Sequence, residues 1–193
     1  FSNFSEGTKK FYIRAYDAIG NESIFEYTWF IDSTPPTTGN LAISNVEGFV
    51  NDSTPVIEVT VTGADFMRFS LSDENLPSAI WVPFTANYSG FDISSGGDAN
   101  KTIYAEFKDA AGNIQPAHAS VSIKLDTTAP TAGSIAIVDN NGFTTMSKPV
   151  LNISSPDADY MRFSLTANGL SLASWVNYAT LYSGFDISAG GDG

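Results

Sequence analysis

The chain repeats itself, and the period restricts its fold more than any other feature. Ile31-Asp-Ser-Thr-Pro-Pro-Thr37 returns as Leu125-Asp-Thr-Thr-Ala-Pro-Thr131, and Asp65-Phe-Met-Arg-Phe-Ser-Leu71 returns as Asp159-Tyr-Met-Arg-Phe-Ser-Leu165, both 94 positions further on. Sliding residues 31–99 onto 125–193 needs no gap and gives 33 identical pairs among 69. A third copy opens the chain, where residues 9–21 match residues 101–113 at a shift of 92. Self-similarity with so long a period means an array of small units, each burying its own core. The sequence therefore predicts three pieces: residues 1–31 as the closing hairpin of one unit, 32–125 as a whole unit, and 126–193 as the first five strands of a third. Adding the two shifts sets Gly193 opposite Gly7, so both ends fall near the same phase, as expected of a stretch taken from a longer array.

Within 32–125, apolar and polar residues alternate in short runs bounded by Gly, Pro, Asn and Asp, which predicts strands and no helix. Seven strands follow, at 41–46, 55–62, 65–71, 80–84, 91–94, 101–108 and 119–125. In the second, Ile57, Val59 and Val61 point one way and Glu58, Thr60 and Thr62 the other. In the sixth, Ile103, Ala105 and Phe107 share a face. One sheet would leave such a face wet, so two sheets packed face to face are the economical arrangement. Asp109-Ala-Ala-Gly112-Asn113 suits a type I turn followed by a left-handed glycine, and Asp17-Ala-Ile-Gly20-Asn21 repeats it.

Composition removes several functions. With 21 acidic and 9 basic side chains the formal charge is −12, which repels nucleic-acid phosphates and anionic lipid. The 42% apolar content is too high for a disordered chain, and no apolar run approaches the roughly 20 residues of a membrane helix. Cysteine is absent, which excludes disulfides, thiol nucleophiles and Cys-bound zinc. The one histidine, His118, enters the last strand and has no histidine counterpart in the first copy. Gly96-Gly97-Asp98 lacks the Lys-Ser/Thr of a phosphate-binding loop. The sequence predicts no enzyme.

Residues 12–21, Tyr-Ile-Arg-Ala-Tyr-Asp-Ala-Ile-Gly-Asn, and residues 126–130, Asp-Thr-Thr-Ala-Pro, resemble the penultimate-strand signature and interdomain linker of bacterial immunoglobulin-like and fibronectin type III-like repeats. Such repeats are strung along large adhesins and other extracellular proteins. The resemblance implies an all-β fold of tandem seven-stranded Ig-like or FnIII-like β-sandwiches, one complete and two partial. It implies secretion, and a spacer role in a cell-surface adhesin, surface layer or filament, with neighbouring repeats or like subunits as partners. Tyr12 and Tyr104 match the tyrosine-corner position of such sandwiches.

Two constellations remain as candidate sites. Strand directions that alternate bring the incoming linker, the loop between the second and third strands, and the last hairpin to one pole. Asp32, Asp65, Asp109 and Asn113 are expected to meet there, and Asp126 and Asp159 begin the same set in the next copy. Their oxygens are the hard ligands calcium takes, and an ion there would stiffen the joint; the alternative is that they cap turns and keep the surface soluble. Trp81 and Trp175 repeat in place. Exposed, they would stack on a glycan; packed at a core edge, they would supply apolar area. Arg68 and Glu106 are expected to face one another across strands as a surface pair worth a few tenths of a kcal/mol. Two further functions stay open: an accessory carbohydrate-binding module of a secreted polysaccharide-degrading enzyme, and a filament subunit whose hairpin at 1–31 completes a neighbour's truncated unit.

Overall fold

The structure is a computed structural model that describes residues 5–44, 48–138 and 144–190. It divides into two compact units, residues 1–127 and 128–193.

The first unit opens with a hairpin of β1 (Gly7–Tyr16) and β2 (Glu22–Ile31), paired antiparallel from Gly7 opposite Ile31 to Tyr16 opposite Glu22. The predicted turn closes it. Asp17 Oδ1 accepts from the amides of Ile19 and Asn21, and Gly20 takes φ 91°, open to glycine at little cost. Alternation sorts the side chains by face. Phe11, Ile13, Phe25, Tyr27 and Trp29 share one face and are all exposed. The other carries Lys10–Glu26 at 2.6 Å and Arg14–Glu22 at 3.7 Å. Tyr12, expected at a tyrosine corner, stands directly opposite Glu26 on this charged face.

Eight strands follow: β3 (Asn40–Ile43), β4 (Phe49–Val50), β5 (Ile57–Thr60), β6 (Phe66–Ser70), β7 (Val82–Pro83), β8 (Asn87–Tyr88), β9 (Ala99–Lys108) and β10 (Ala119–Leu125). They form a three-stranded sheet, β3-β5-β8, and a five-stranded sheet, β4-β10-β9-β6-β7. The long β9 is central to the second. Residues 104–108 pair with β6 on one side, and 99–105 pair with β10 on the other. Its Ile103, Ala105 and Phe107 are fully buried, and they pack with Leu41, Ile57 and Val59 of one sheet and Met67, Phe69, Ile123 and Leu125 of the other.

Two predicted strands come out differently. The run at 91–94 makes no ladder; Ile93 is buried while its amide donates to Ser53 O at 2.8 Å, and Asn87–Tyr88 is the segment that pairs. Alternation reports which side chains are buried, and a segment laid over the core satisfies it as well as a strand does. The first run stops at Ile43, and β4 then pairs parallel with β10; residues 45 and 46 of that prediction lie outside the described residues.

The Arg68–Glu106 pair also departs from expectation, because it is buried. The two residues keep 8% and 7% of their surface. Arg68 Nε donates to Glu106 Oε2 at 2.6 Å, its Nη1 donates to Pro77 O at 2.6 Å, and its guanidinium lies 4.3 Å from the Trp81 ring. The 3-10 turn at Leu76–Ser78 brings Pro77 over the pair, shielding it from water. Removing one partner of so buried a pair costs about 3–5 kcal/mol, against the tenths expected at a surface.

The second unit repeats the pattern 94 positions on. β11 (Ser134–Ile137), β12 (Leu151–Ser154) and β15 (Leu181–Tyr182) form one sheet, and β13 (Tyr160–Met161) pairs with β14 (Val176–Asn177) in another. Ser134 stands opposite Ser154 as Asn40 stands opposite Thr60. Phe163 stacks on Tyr182 at 4.8 Å, as Phe69 does on Tyr88 at 5.1 Å. Among the described residues nothing corresponds to β9 and β10, and the interior is open accordingly. Ile135 is 62% exposed where Leu41 is 5%, and Leu170 is 39% exposed where Leu76 is 0%.

Glycine is required just before the first strand after each linker. A Cβ on Gly39 would lie 2.2 Å from the buried Phe107 ring, and one on Gly133 would lie 1.7 Å from Ser154 O. Gly39→Val is therefore expected to lower stability by about 1–3 kcal/mol through overpacking. Urea unfolding measures this, and an unchanged midpoint would show that the Phe107 ring yields.

Candidate functional site

The segment Asp32–Gly39 contains Pro35 and Pro36 and forms no ladder, yet it is tied down at both ends. On the hairpin side one carboxylate oxygen gathers three donors. Glu6 Oε1 accepts from Ser33 N at 3.2 Å, Ser33 Oγ at 2.8 Å and Thr34 Oγ1 at 2.5 Å. On the other side Thr37 N donates to Thr62 O at 3.0 Å, Thr62 N donates back to Thr37 Oγ1 at 3.0 Å, and Gly39 N donates to Gln115 Oε1 at 3.4 Å. Gln115 is itself buried and donates to Ala105 O, which links the segment to the central strand.

The expected pole forms here in part. Asn113 Nδ2 donates to the main-chain oxygen of Asp32 at 3.0 Å and to Asp109 Oδ2 at 2.8 Å. Asp109 Oδ1 accepts from Asn113 N at 2.8 Å, and Asp65 Oδ2 accepts from Ala110 N at 2.7 Å. The carboxylate of Asp32 turns back to the amide of Thr34 at 3.1 Å. Asp32, Asp65, Asp109 and Asn113 are thus joined in one hydrogen-bonded knot at the hairpin turn. Its oxygens face backbone amides, and among the described residues no three His, Cys, Asp or Glu side chains gather as a metal site requires. Asp126 and Asp159 fall in different units. Asp126 N donates to Val50 O at 2.9 Å, and Asp159 O accepts from Tyr178 N at 2.8 Å, as Asp65 O does from Phe84 N. A calcium ion at the first pole would have to draw its oxygens out of these bonds. Calorimetry against calcium decides it: heat that disappears in Asp32→Ala sustains an ion there, and no heat rejects it.

The joint's own acids were not among the expected site residues. Glu6 and Asp98 occupy the same phase at the 92-residue shift, and Asp98 Oδ1 accepts from Thr127 Oγ1 at 2.8 Å as Glu6 does from the hydroxyls after Asp32. Both precede a long strand by one residue, where an acid reads as ordinary surface. The signal that finds them is the alignment of two acids ahead of two linkers that both begin Asp-Ser/Thr-Thr.

Burial accounts for the tryptophans only in part. Trp81 is half-buried between Arg68 at 4.3 Å and Lys108 Nζ at 4.5 Å, the latter from β9. Trp175 keeps only the first of these partners, Arg162 at 4.4 Å, and is 60% exposed in an open groove with Pro130, Asp157, Asp159 and Tyr160. Asp157 holds φ 66° where the first unit has Gly63 at 84°. His118 Nδ1 lies 2.6 Å from Asp73 Oδ1, and its Nε2 lies 3.5 Å from Glu106 Oε1, at the edge of the buried pair.

No known protein family and no curated protein matches the chain. Among solved structures it is similar to a crystal structure described as a tetra-tandem repeat in the extending region of a large adhesion protein, with 19% identity and a TM-score of 0.38. The match covers 97% of this chain and 50% of that one, so the chain spans about half the length of that structure. A likeness of this strength carries no argument about function.

Hydrogen bonding lowers the pKa of Glu6 and of Asp109. The hydroxyls of Thr34 and Ser33, with the Ser33 amide, hold the Glu6 carboxyl below the usual carboxylate range. Burial pushes Asp109 up, but the side chain and amide of Asn113, with the Gly112 and Ala111 amides, outweigh it and leave Asp109 low as well. A carboxyl whose pKa is depressed on folding contributes stability that is present above its unfolded value and lost as pH falls through its folded one. The melting temperature is therefore expected to hold above about pH 5 and to fall below about pH 4. Glu6→Gln is expected to flatten the acid limb in thermal unfolding followed by circular dichroism. An identical limb in that variant would remove Glu6 from the account.

Proposed function

We propose that the chain is a non-catalytic spacer of a long extracellular repeat protein. In this reading each unit is a seven-stranded β-sandwich of the bacterial immunoglobulin-like or fibronectin type III-like kind, and the units follow one another in tandem through linkers that are held at their ends. The observation that carries it is the recurrence of the joint itself. An acid ahead of a long strand, Glu6 or Asp98, receives hydroxyl donors from the linker that follows, Ser33 and Thr34 or Thr127. A linker that only had to connect would need no such bond in either copy. Hydrogen bonds to a charged acceptor restrict the linker's torsions, and proline restricts them further; Asp32–Gly39 has two prolines and the linker after Leu125 has one, Pro130.

The absence of cysteine makes the test direct, since introduced cysteines are the only sites for spin labels. Labels at the exposed positions Thr28 and Glu74, either side of the first joint, are expected to give a narrow distance distribution by double electron–electron resonance. Glu6→Ala is expected to broaden it. A broad distribution in the unaltered joint would mean a free linker and would sink the reading of a held one.

A further inference from the structure

The segment between β6 and β7, residues 71–81, lies as a strap across the face of the five-stranded sheet that is turned away from the core. Met67, Phe69, Ala105 and Phe107 point into the core, so Arg68 and Glu106, opposite one another, point out of it. His118 precedes Ala119, the partner of Ala105, and carries the same row on to the third strand. Three ties hold the far end of the strap over this row. Leu76 is buried, Pro77 O accepts from Arg68 Nη1, and the Trp81 ring lies 4.3 Å from the same guanidinium. A fourth holds the near end, where Asp73 Oδ1 lies 2.6 Å from His118 Nδ1.

The Asp73 carboxylate is not needed to shape the strap. Asn75 N donates to Ser72 O and Leu76 N to Asp73 O, both at 3.2 Å, and 94 positions on Gly169 N donates to Thr166 O at 3.1 Å and Leu170 N to Ala167 O at 3.3 Å. The same turn forms with a methyl group in place of the acid, so what the acid adds is its bond to His118.

Both nitrogens of that ring face acceptors. A carboxylate has no hydrogen to give, so the short contact with Asp73 places a proton on Nδ1. Nε2 then faces Glu106 Oε1 at 3.5 Å, and Glu106 is held as a carboxylate by Arg68 through its other oxygen. The neutral ring sets a lone pair against Oε1, whereas the imidazolium sets an N–H against it and a positive charge between two acids. Asp73 from the strap and Glu106 from β9 are the charged groups paired with the ring among the described residues, with Arg68 of β6 beyond Glu106. Of the neighbouring groups, Lys108 is turned to the Trp81 ring, Glu74 is exposed, and Tyr104 stands between Ser70 and Ser120.

We infer that His118 is a proton-operated latch: carrying both protons it ties the near end of the strap to Glu106, and on losing the Nε2 proton it lets that end lift. The tie is present at pH below the imidazole's titration and is lost as pH rises through it. The other three ties involve no group of a kind that titrates between about pH 5 and 8, so the strap loosens at one end and stays fastened at the other. The latch depends neither on the joint nor on the spacer role.

The chain has one histidine, so the imidazole nitrogen resonances of the full-length protein report this ring alone. Hydrogen exchange at the Asn75 and Leu76 amides, corrected for the intrinsic effect of pH, reports the near end of the strap. Protection there is expected to be about 3-fold greater at about pH 5.5 than at about pH 8, as suits a partly exposed ion pair, and to follow the imidazole titration. Gly169 and Leu170, whose turn carries Ala167, serve as the internal reference and are expected not to respond. Asp73→Ala copies the second unit, and both it and His118→Gln are expected to make protection at Asn75 and Leu76 independent of pH. The two side chains are 58% and 31% exposed, so neither replacement empties the core. Equal protection at the two pH values in the unaltered chain would overturn the latch. A dependence that survives either replacement, or that appears equally at Gly169 and Leu170, would overturn it as well.

Discussion

The middle of the chain depends on one ten-residue strand paired along both edges. β9 satisfies its backbone against β6 and β10 together, and the three side chains it sends inward join two sheets that otherwise share no ladder. The comparison between the two units shows the consequence of having such a strand or not. Where it is present, Leu41 and Leu76 are buried; where it has no counterpart among the described residues, Ile135 and Leu170 face water although the local sheet keeps its register. Local pairing and core closure are separable in this fold. The first follows from strand alternation and the second from a segment that begins 58 positions after Leu41 and 23 after Leu76.

The joint works by a different economy. Its carboxylates are few and exposed, and each is surrounded by donors that the linker itself provides. Placing the acid on the strand and the hydroxyls on the linker means that the two elements define each other's position. Asn113 performs the corresponding task on the far side, where one side chain holds both its own turn and the main chain of Asp32. A proline-bearing segment without secondary structure is thereby tied to the elements on both sides of it. Its claims on the interior are the buried Pro36 and the small space kept by Gly39.

Much of this was legible in the sequence, and the limits have physical causes. The period set the repeats in correspondence, and alternation picked out Ile57, Val59, Ile103, Ala105 and Phe107 as inward residues, because a half-buried strand leaves that trace directly. The turns at Asp17 and Asp109 were legible from the glycine that each needs. The burial of Arg68 and Glu106 was not, since Trp81 and the turn at Leu76–Ser78 that cover them are tertiary neighbours. The gathering of Asp65, Asp109 and Asn113 at one pole could be inferred from strand directions. Which atoms they would face could not, because backbone amides compete for aspartate oxygens and leave no mark in composition. Glu6 was hidden by its ordinariness, and Asp98 stood out only as part of a glycine-rich connection, with nothing to tie it to the linker.

The two ladders of the first unit also differ in how far along the chain they reach. The β1–β2 register closes from a five-residue turn outward, each pair bringing the next within range. The bond between Arg68 and Glu106 spans 38 residues. Short loops close quickly and distant strands meet slowly, so during synthesis or refolding the hairpin takes shape well before β6 finds β9.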